Sequence, residues 1–134
     1  MTFETLAKGE MGNGGGSEMD ISDFRVIRDE ETFREVWGMI NPSLGSDSGM
    51  PEIDFDEHLI LSARMGQQPS SGYEIEILDV IENEETIRVP IQSTRPGRTC
   101  VTLTVITSPH HIVKIPRTDR EIIFEPRTVV NECD

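Results

Sequence analysis

The three histidines are the residues of this chain that first suggest metal chemistry. His110 and His111 are adjacent, and His58 lies more than fifty positions before them. Adjacent residues of a β-strand point to opposite faces of the sheet, so the pair cannot easily converge on one ion. The sequence therefore predicts histidines on the faces of a sheet and no metal site.

Acidic and hydroxyl groups give no stronger indication of a catalytic site. Four carboxylates lie between Glu52 and Glu57, but the central glycine and the terminal glutamate of a calcium loop are missing at the expected spacing. Ser70 and Ser71 are not part of a Gly-x-Ser-x-Gly motif, and no aspartate and histidine have an identifiable role in orienting them. We therefore do not expect hydrolase chemistry.

Two segments are unusual in ways that strands do not require, and they run over Gly66–Tyr73 and Ser108–Pro116. The first is an eight-residue connection with glycine at both ends, longer than a tight hairpin needs. Such a loop can present small polar groups to a partner. It is equally explained as a turn in which Gly72 has a positive φ and Tyr73 caps the core.

Charge excludes several classes of partner. The chain has 134 residues, enough for one domain with its own core, and 25 acidic against 12 basic residues give a net charge of -13. This charge repels phosphate backbones and anionic lipids, so we expect no nucleic-acid binding. The acidity is consistent with adaptation to high salt or with an ordinary acidic domain.

Membrane insertion by this chain is not expected, because no apolar run approaches the roughly 20 residues of a transmembrane helix. Met1–Glu4 also lacks the basic and apolar regions of a signal peptide. The sequence predicts a cytoplasmic protein as given, or an exported one if a precursor segment was removed. Oligomeric state stays open.

The two cysteines are predicted to be free thiols. Cys100 lies in an alternating apolar run, and Cys133 lies one residue from the C-terminal end. A disulfide would need a docked tail, and terminal residues are usually mobile. We expect Cys100 to be a small residue of the core or of a sheet face.

One amphipathic helix is predicted near residues 30–40. Asp29 is placed as its N-cap, and Asn41-Pro42 ends the pattern. Four apolar residues recur at helical spacing on one face: Phe33, Val36, Trp37 and Ile40. Flexible loops are expected near 11–18 and 42–51.

The remaining apolar residues alternate and predict strands. These cover Phe3–Lys8, Phe24–Arg28, His58–Met65, Tyr73–Ile81, Thr86–Gln92, Thr99–Thr107, His111–Ile115 and Glu121–Phe124. Glu82–Glu85 and Arg117–Arg120 are predicted hairpin turns, and Pro90 predicts an edge strand or a bulge. The fold class is α+β, mainly antiparallel β in a sandwich-like or barrel-like arrangement, with the helix packed on the sheet.

At these residues the chain resembles the C-terminal domain of the PrcB family, named for a subunit of a bacterial surface protease complex. The resemblance runs through short pieces in order: Phe3–Gly9, Val26–Glu31, the tryptophan helix, Pro51–Phe55, Gly66–Ile77 and Pro109–Pro116. Where the family loop usually looks like Pro-Thr-Gly-Gly-Tyr, this chain has Pro-Ser-Ser-Gly-Tyr at 69–73. The whole chain, 1–134, is thus expected to be one domain of this type.

The resemblance implies a non-catalytic module, not an enzyme, that associates with or stabilises a protease and needs no cofactor. The partner-binding residues it suggests are Gln67, Gln68, Pro69, Ser70, Ser71, Gly72 and Tyr73, with Pro109, His110 and His111 as secondary candidates. The loop also looks like that of chagasin-type cysteine-protease inhibitors, so an inhibitor is one alternative. A ligand-binding or carbohydrate-binding β domain is another.

The charge of -13 generates a first prediction. If the acidity is an adaptation to high salt, screening of self-repulsion should raise the melting temperature steeply between dilute buffer and molar potassium chloride. Differential scanning fluorimetry over that range measures the effect. A flat melting temperature would leave ordinary acidity as the explanation.

Overall fold

The computed structural model describes residues 1–10, 23–40 and 49–133, and it forms one helix and eight strands there. The strands are β1 (Glu4–Gly9), β2 (Asp23–Ile27), β3 (His58–Arg64), β4 (Glu74–Ile77), β5 (Ile81–Glu82), β6 (Thr86–Pro96), β7 (His110–Pro116) and β8 (Glu121–Asn131), and the helix α1 (Glu30–Ile40) follows β2. The α+β class, rich in β-structure, is confirmed. The predicted loops lie outside the described residues at 11–18 and 42–48.

The strands form two sheets. The first is antiparallel in the order β1-β7-β3-β2. In the second, β8 runs parallel to β6 along its whole length, so β4 and β5 share the other side of β6 as antiparallel neighbours. The parallel pair is the exception to the predicted mainly antiparallel pattern, and β8 extends to Asn131 instead of ending at Phe124.

The first sheet is covered on both faces, which makes its central strand β3 almost wholly buried. Alternate residues of β3 point to opposite sides, so Leu59, Leu61 and Ala63 face the second sheet and Ile60 faces the helix. The core between the sheets comprises Leu59, Leu61, Ala63, Met65, Ile75, Ile77, Val80, Ile87, Val89, Ile91, Val113 and Ile115. The molecule is therefore layered as helix, sheet and sheet.

Helix α1 begins as predicted. The Asp29 carboxylate accepts a hydrogen bond of 2.8 Å from the Thr32 N–H, and this bond lowers the pKa of Asp29. Phe33, Val36 and Trp37 then pack on the first sheet, with the Phe33 and Trp37 rings 5.8 Å apart and edge to face. No helix within the described ranges is long and apolar enough to cross a membrane.

Pro90 does not mark an edge strand, because β6 has neighbours on both sides. The Pro90 carbonyl accepts a hydrogen bond from the Leu78 N–H, so the missing N–H of Pro90 faces the same side. On that side β4 and β5 are separate strands, and the register shifts by one residue between them. The irregularity predicted for Pro90 thus lies in the strands opposite it, between β4 and β5. This break also divides the predicted strand Tyr73–Ile81 into two.

One further strand prediction and one turn prediction were wrong. Thr99–Thr107 forms no strand, since only an isolated bridge joins Thr107 to Gln68. Alternation alone does not make a strand when no partner strand lies alongside. Arg117–Arg120 is not a hairpin turn, because β7 and β8 lie in different sheets. The Glu82–Glu85 turn is confirmed, with a hydrogen bond of 2.9 Å from Asn83 N–H to the Thr86 carbonyl.

The prediction of two free thiols is also wrong. Cys100 and Cys133 form a disulfide, with their Cα atoms 4.9 Å apart. The tail is not free, because β8 carries it alongside β6 and the Gly97 N–H donates to the Asn131 carbonyl at 2.9 Å. The docked tail that the disulfide requires is provided by the long parallel pairing.

Burial of Trp37, whose residue is 7% exposed, predicts that Trp37→Ala destabilises the protein by about 3–5 kcal/mol. Glu35→Ala, on the exposed side of the same helix, is the matched control and should change stability by less than about 0.5 kcal/mol. Urea denaturation measures both. A loss below about 1 kcal/mol for Trp37→Ala would contradict the burial of Trp37 between α1 and the first sheet.

Candidate functional site

The base of the 67–73 loop is fixed by the segment before β7. Gln68 and Thr107 exchange both backbone hydrogen bonds, at 2.9 and 3.0 Å, and the Gln68 side chain is buried. The Thr107 hydroxyl donates to the Ser70 carbonyl at 2.9 Å. These bonds fix the first half of the loop to the segment before β7, so the loop is preorganised.

Ser71 is bound to the same neighbouring segment. Its N–H donates to the Leu103 carbonyl at 3.0 Å, and its hydroxyl oxygen accepts from the Leu103 N–H at 2.8 Å. Both backbone groups of Leu103 are therefore satisfied by one serine. Ser71 holds the loop in shape, and a substitution there would alter the fold together with any binding.

Gly72 has a φ of +96°, as the sequence predicted for one reading of the loop. A Cβ at this position would lie 3.1 Å from the Pro96 Cβ and 3.3 Å from the Thr102 Cγ2. Both the positive φ and the close approach of Pro96 and Thr102 therefore disfavour a larger residue at position 72. Gly72 and Pro69 are exposed and form the accessible tip of the loop.

Tyr73 leads from the loop into β4 and is half-buried against the core between the sheets. The Arg95 guanidinium carbon lies 5.7 Å from the centre of its ring, a distance typical of a cation–π contact. A groove of about 630 Å³ runs beside Tyr73, lined by Lys8–Glu10, Ser71–Ile75 and Asn131.

Next to the loop lies an exposed set of apolar side chains that was not predicted as a site. We call it the apolar strip, and it consists of Val101, Leu103, Val105 and Ile106. Val101 is 100% exposed and Leu103 is 70% exposed, which is unusual for neighbouring aliphatic residues. The alternating sequence of this segment predicts a strand with one buried face, so the sequence alone gives no signal that both faces are exposed.

The secondary candidates are buried instead of exposed. His110 is 7% exposed and His111 is 2% exposed, and Pro109 is also buried, with its carbonyl accepting from the Met65 N–H at 3.0 Å. His110 Nδ1 lies 3.0 Å from the Ser108 carbonyl, and burial lowers the pKa of His110. These residues support the loop region and offer little surface to a partner.

His111 joins the two sheets. Its Nδ1 accepts a hydrogen bond of 2.9 Å from the Ile77 N–H on β4, so its proton resides on Nε2, which donates to the Thr5 hydroxyl at 2.9 Å. Burial is the main cause that lowers the pKa of His111 to about 4, and Lys8 and His110 add to the effect while Glu76 opposes it. The imidazole is therefore neutral near pH 7 and serves as a structural link.

Metal ligation finds no support in the geometry. Within residues 1–10, 23–40 and 49–133, no three side chains of His, Cys, Asp or Glu are grouped so as to hold an ion. His110 and His111 point to different surroundings, as expected for adjacent strand residues.

Comparison with protein families identifies the segment that contains this site. Residues 59–116 match the PrcB C-terminal family. This confirms the resemblance over β3 to β7, including the 67–73 loop and the apolar strip. The PrcB-like pieces before residue 59 lie outside the match and stay predictions. No curated protein and no solved structure matches the chain.

The neutral His111 predicts a pH dependence of stability. Its folded pKa of about 4 lies below the usual 6.5, so the unfolded chain binds the proton more tightly. The stabilisation is complete above about pH 6.5 and is lost as the pH falls towards 4, by at most about 3 kcal/mol. We expect His111→Gln to have a shallower loss of unfolding free energy over this window.

Urea denaturation from pH 7 to pH 4 tests this prediction. His58→Gln, which removes the histidine at the start of β3, is the matched control for the loss of one imidazole. Equal slopes for the unmodified protein and His111→Gln would show that His111 does not contribute to acid sensitivity.

Proposed function

We propose that this chain is a non-catalytic protein-binding module that associates with, or stabilises, a protease. The observation that carries the proposal is the PrcB C-terminal match over residues 59–116, which contains a loop fixed at its base and exposed at its tip. A loop of this kind loses little conformational freedom on binding, because its backbone is already ordered. Its tip would then dock by shape, with few anchoring side chains.

The residues of the loop divide into two roles under this proposal. Pro69 and Gly72 are exposed and would touch the partner, with half-buried Gln67, Ser70 and Tyr73 at the margin. Gln68 and Ser71 would act only by holding the loop, since their polar groups bond within the chain. Under this proposal, the direct contacts with the partner are therefore made mainly by Pro69 and Gly72 at the exposed tip.

Charge indicates what the partner surface should be like. With a net charge of -13, this chain attracts proteins that carry a basic patch and repels acidic ones. Long-range attraction raises the association rate more than the affinity, and salt screens it. A protease with basic residues outside the contact made by the loop tip fits this surface best, because long-range attraction does not require charges inside the contact.

Pro69→Asp is the decisive variant for the loop. Pro69 is exposed, and none of the described hydrogen bonds depends on its side chain, so the fold should persist while an acidic group enters the contact. We expect at least a tenfold loss of association with the partner protease, because burying one unpaired charge costs about 1.4 kcal/mol or more. Pro116→Asp, at the opposite end of β7, is the matched control and should bind normally.

Affinity capture from the source organism, followed by mass spectrometry and titration of the captured protein, measures these affinities. Circular dichroism and thermal melting confirm that each variant is folded. Capture of a peptidase by the unmodified chain and by Pro116→Asp, but not by Pro69→Asp, is the expected result. Full binding by a folded Pro69→Asp protein would exclude the loop tip as the docking element.

The chagasin-like inhibitor is the second candidate, because the same exposed tip would enter a peptidase cleft. An assay of papain with and without the chain separates the two functions. Inhibition that Pro69→Asp abolishes supports the inhibitor, whereas binding to the partner protease without inhibition supports an accessory subunit. Failure of both assays would contradict the proposed function.

A further inference from the structure

The apolar strip has a free backbone edge as well as exposed side chains. The N–H and carbonyl groups of Leu103 both face Ser71, and successive residues of an extended chain turn their backbone groups to opposite sides. Thr102 therefore directs its groups away from the loop, and Thr104 would do the same once the turn closed by the bond from Val105 N–H to the Leu103 carbonyl is straightened. Within the described part of the chain, neither threonine forms a backbone hydrogen bond. An unpaired edge beside exposed aliphatic side chains is a site for adding a strand.

The sequence of this edge is symmetric. Residues 101–105 read Val-Thr-Leu-Thr-Val in both directions. If two copies pair antiparallel about a two-fold axis at Leu103, each Val101 lies opposite Val105 of the other copy, and each Thr102 lies opposite Thr104. The same register makes Thr102 and Thr104 the hydrogen-bonded pair, and these are the two residues whose backbone groups form no backbone hydrogen bond within the described part of the chain.

Charge also favours a second copy at this surface. From Thr99 to Pro109 there is no charged residue, although 28% of the chain is charged. Two strips can therefore meet without placing like charges face to face. The net charge of -13 on each copy still opposes association, so the affinity must depend on salt.

We propose that the apolar strip is a self-association surface, in which two copies of this chain pair antiparallel through residues 101–105 about Leu103. The strip covers on the order of 300 Å² on each copy, against roughly 800 Å² per partner in a standard stable interface. The dimer is therefore weak, and it forms at high protein concentration and high salt. Pairing straightens Thr104 and opens the local bond from Val105 N–H to the Leu103 carbonyl.

Sedimentation velocity over a range of protein concentrations tests the dimer. Between 50 mM and 1 M sodium chloride we expect the dissociation constant to fall by about tenfold or more, as the repulsion is screened. Leu103→Asp places two carboxylates face to face and should abolish the dimer at both salt concentrations. Leu78→Asp, at an exposed aliphatic residue away from the strip, is the matched control and should leave it unchanged.

Cross-linking tests the register. In this arrangement Leu103 faces its own equivalent at about 4.5 Å between Cα atoms, so Leu103→Cys should form an intermolecular disulfide under mild oxidation. Val105→Cys faces Val101 of the other copy and should cross-link at least tenfold less. Peptide mapping identifies the 103–103 link and separates it from exchange with the Cys100–Cys133 bond.

A monomer at every concentration in 1 M salt, or a dimer that survives Leu103→Asp, would overturn the proposal. Preferential cross-linking of Val105→Cys would overturn the register. Pro69→Asp should leave self-association unchanged, so failure of this proposal is distinguishable from failure of the protease-binding function. If the chain is monomeric and Leu103→Asp abolishes capture of a protease, the apolar strip is a surface for another protein, and the self-association proposal is overturned.

Discussion

The antiparallel pairing of β3 with β7 is the interaction on which the rest of this structure depends. The two strands pair from His58 and Pro116 to Arg64 and His110, and both are buried on both faces. One face of the pair carries the helix, and the other carries the second sheet. Because two apolar cores share these strands, loss of their pairing would expose both cores at once.

The same strand pair also determines where the candidate site lies. The 67–73 loop leaves the end of β3, and the segment with the apolar strip arrives at the start of β7, so the pairing brings both to one end of the sheet. They then bond to each other through Gln68, Thr107, Ser71 and Leu103. The loop is ordered by the segment 101–106, which is not itself part of a sheet. The other backbone edge of that segment and its aliphatic side chains therefore stay exposed.

One disulfide and one buried histidine add further restraints to this arrangement. The Cys100–Cys133 disulfide ties the C-terminal tail to the residues just before the apolar strip, which limits how far that segment can move. His111 links the sheets from within, and it is neutral because burial outweighs the attraction of Glu76 for a proton. Both features restrain the loop region.

Local patterns determined much of this fold from the sequence alone. The Asp29 cap and the spacing of Phe33, Val36 and Trp37 defined the helix, and the PrcB-like pieces indicated the loop, because such signals depend on neighbouring residues. Only the tertiary structure decided that β8 runs parallel to β6, that Cys100 meets Cys133, and that 101–106 stays exposed. Those outcomes depend on which distant segments come together, and the same alternating pattern is compatible with a buried strand or an exposed edge until its neighbours are known.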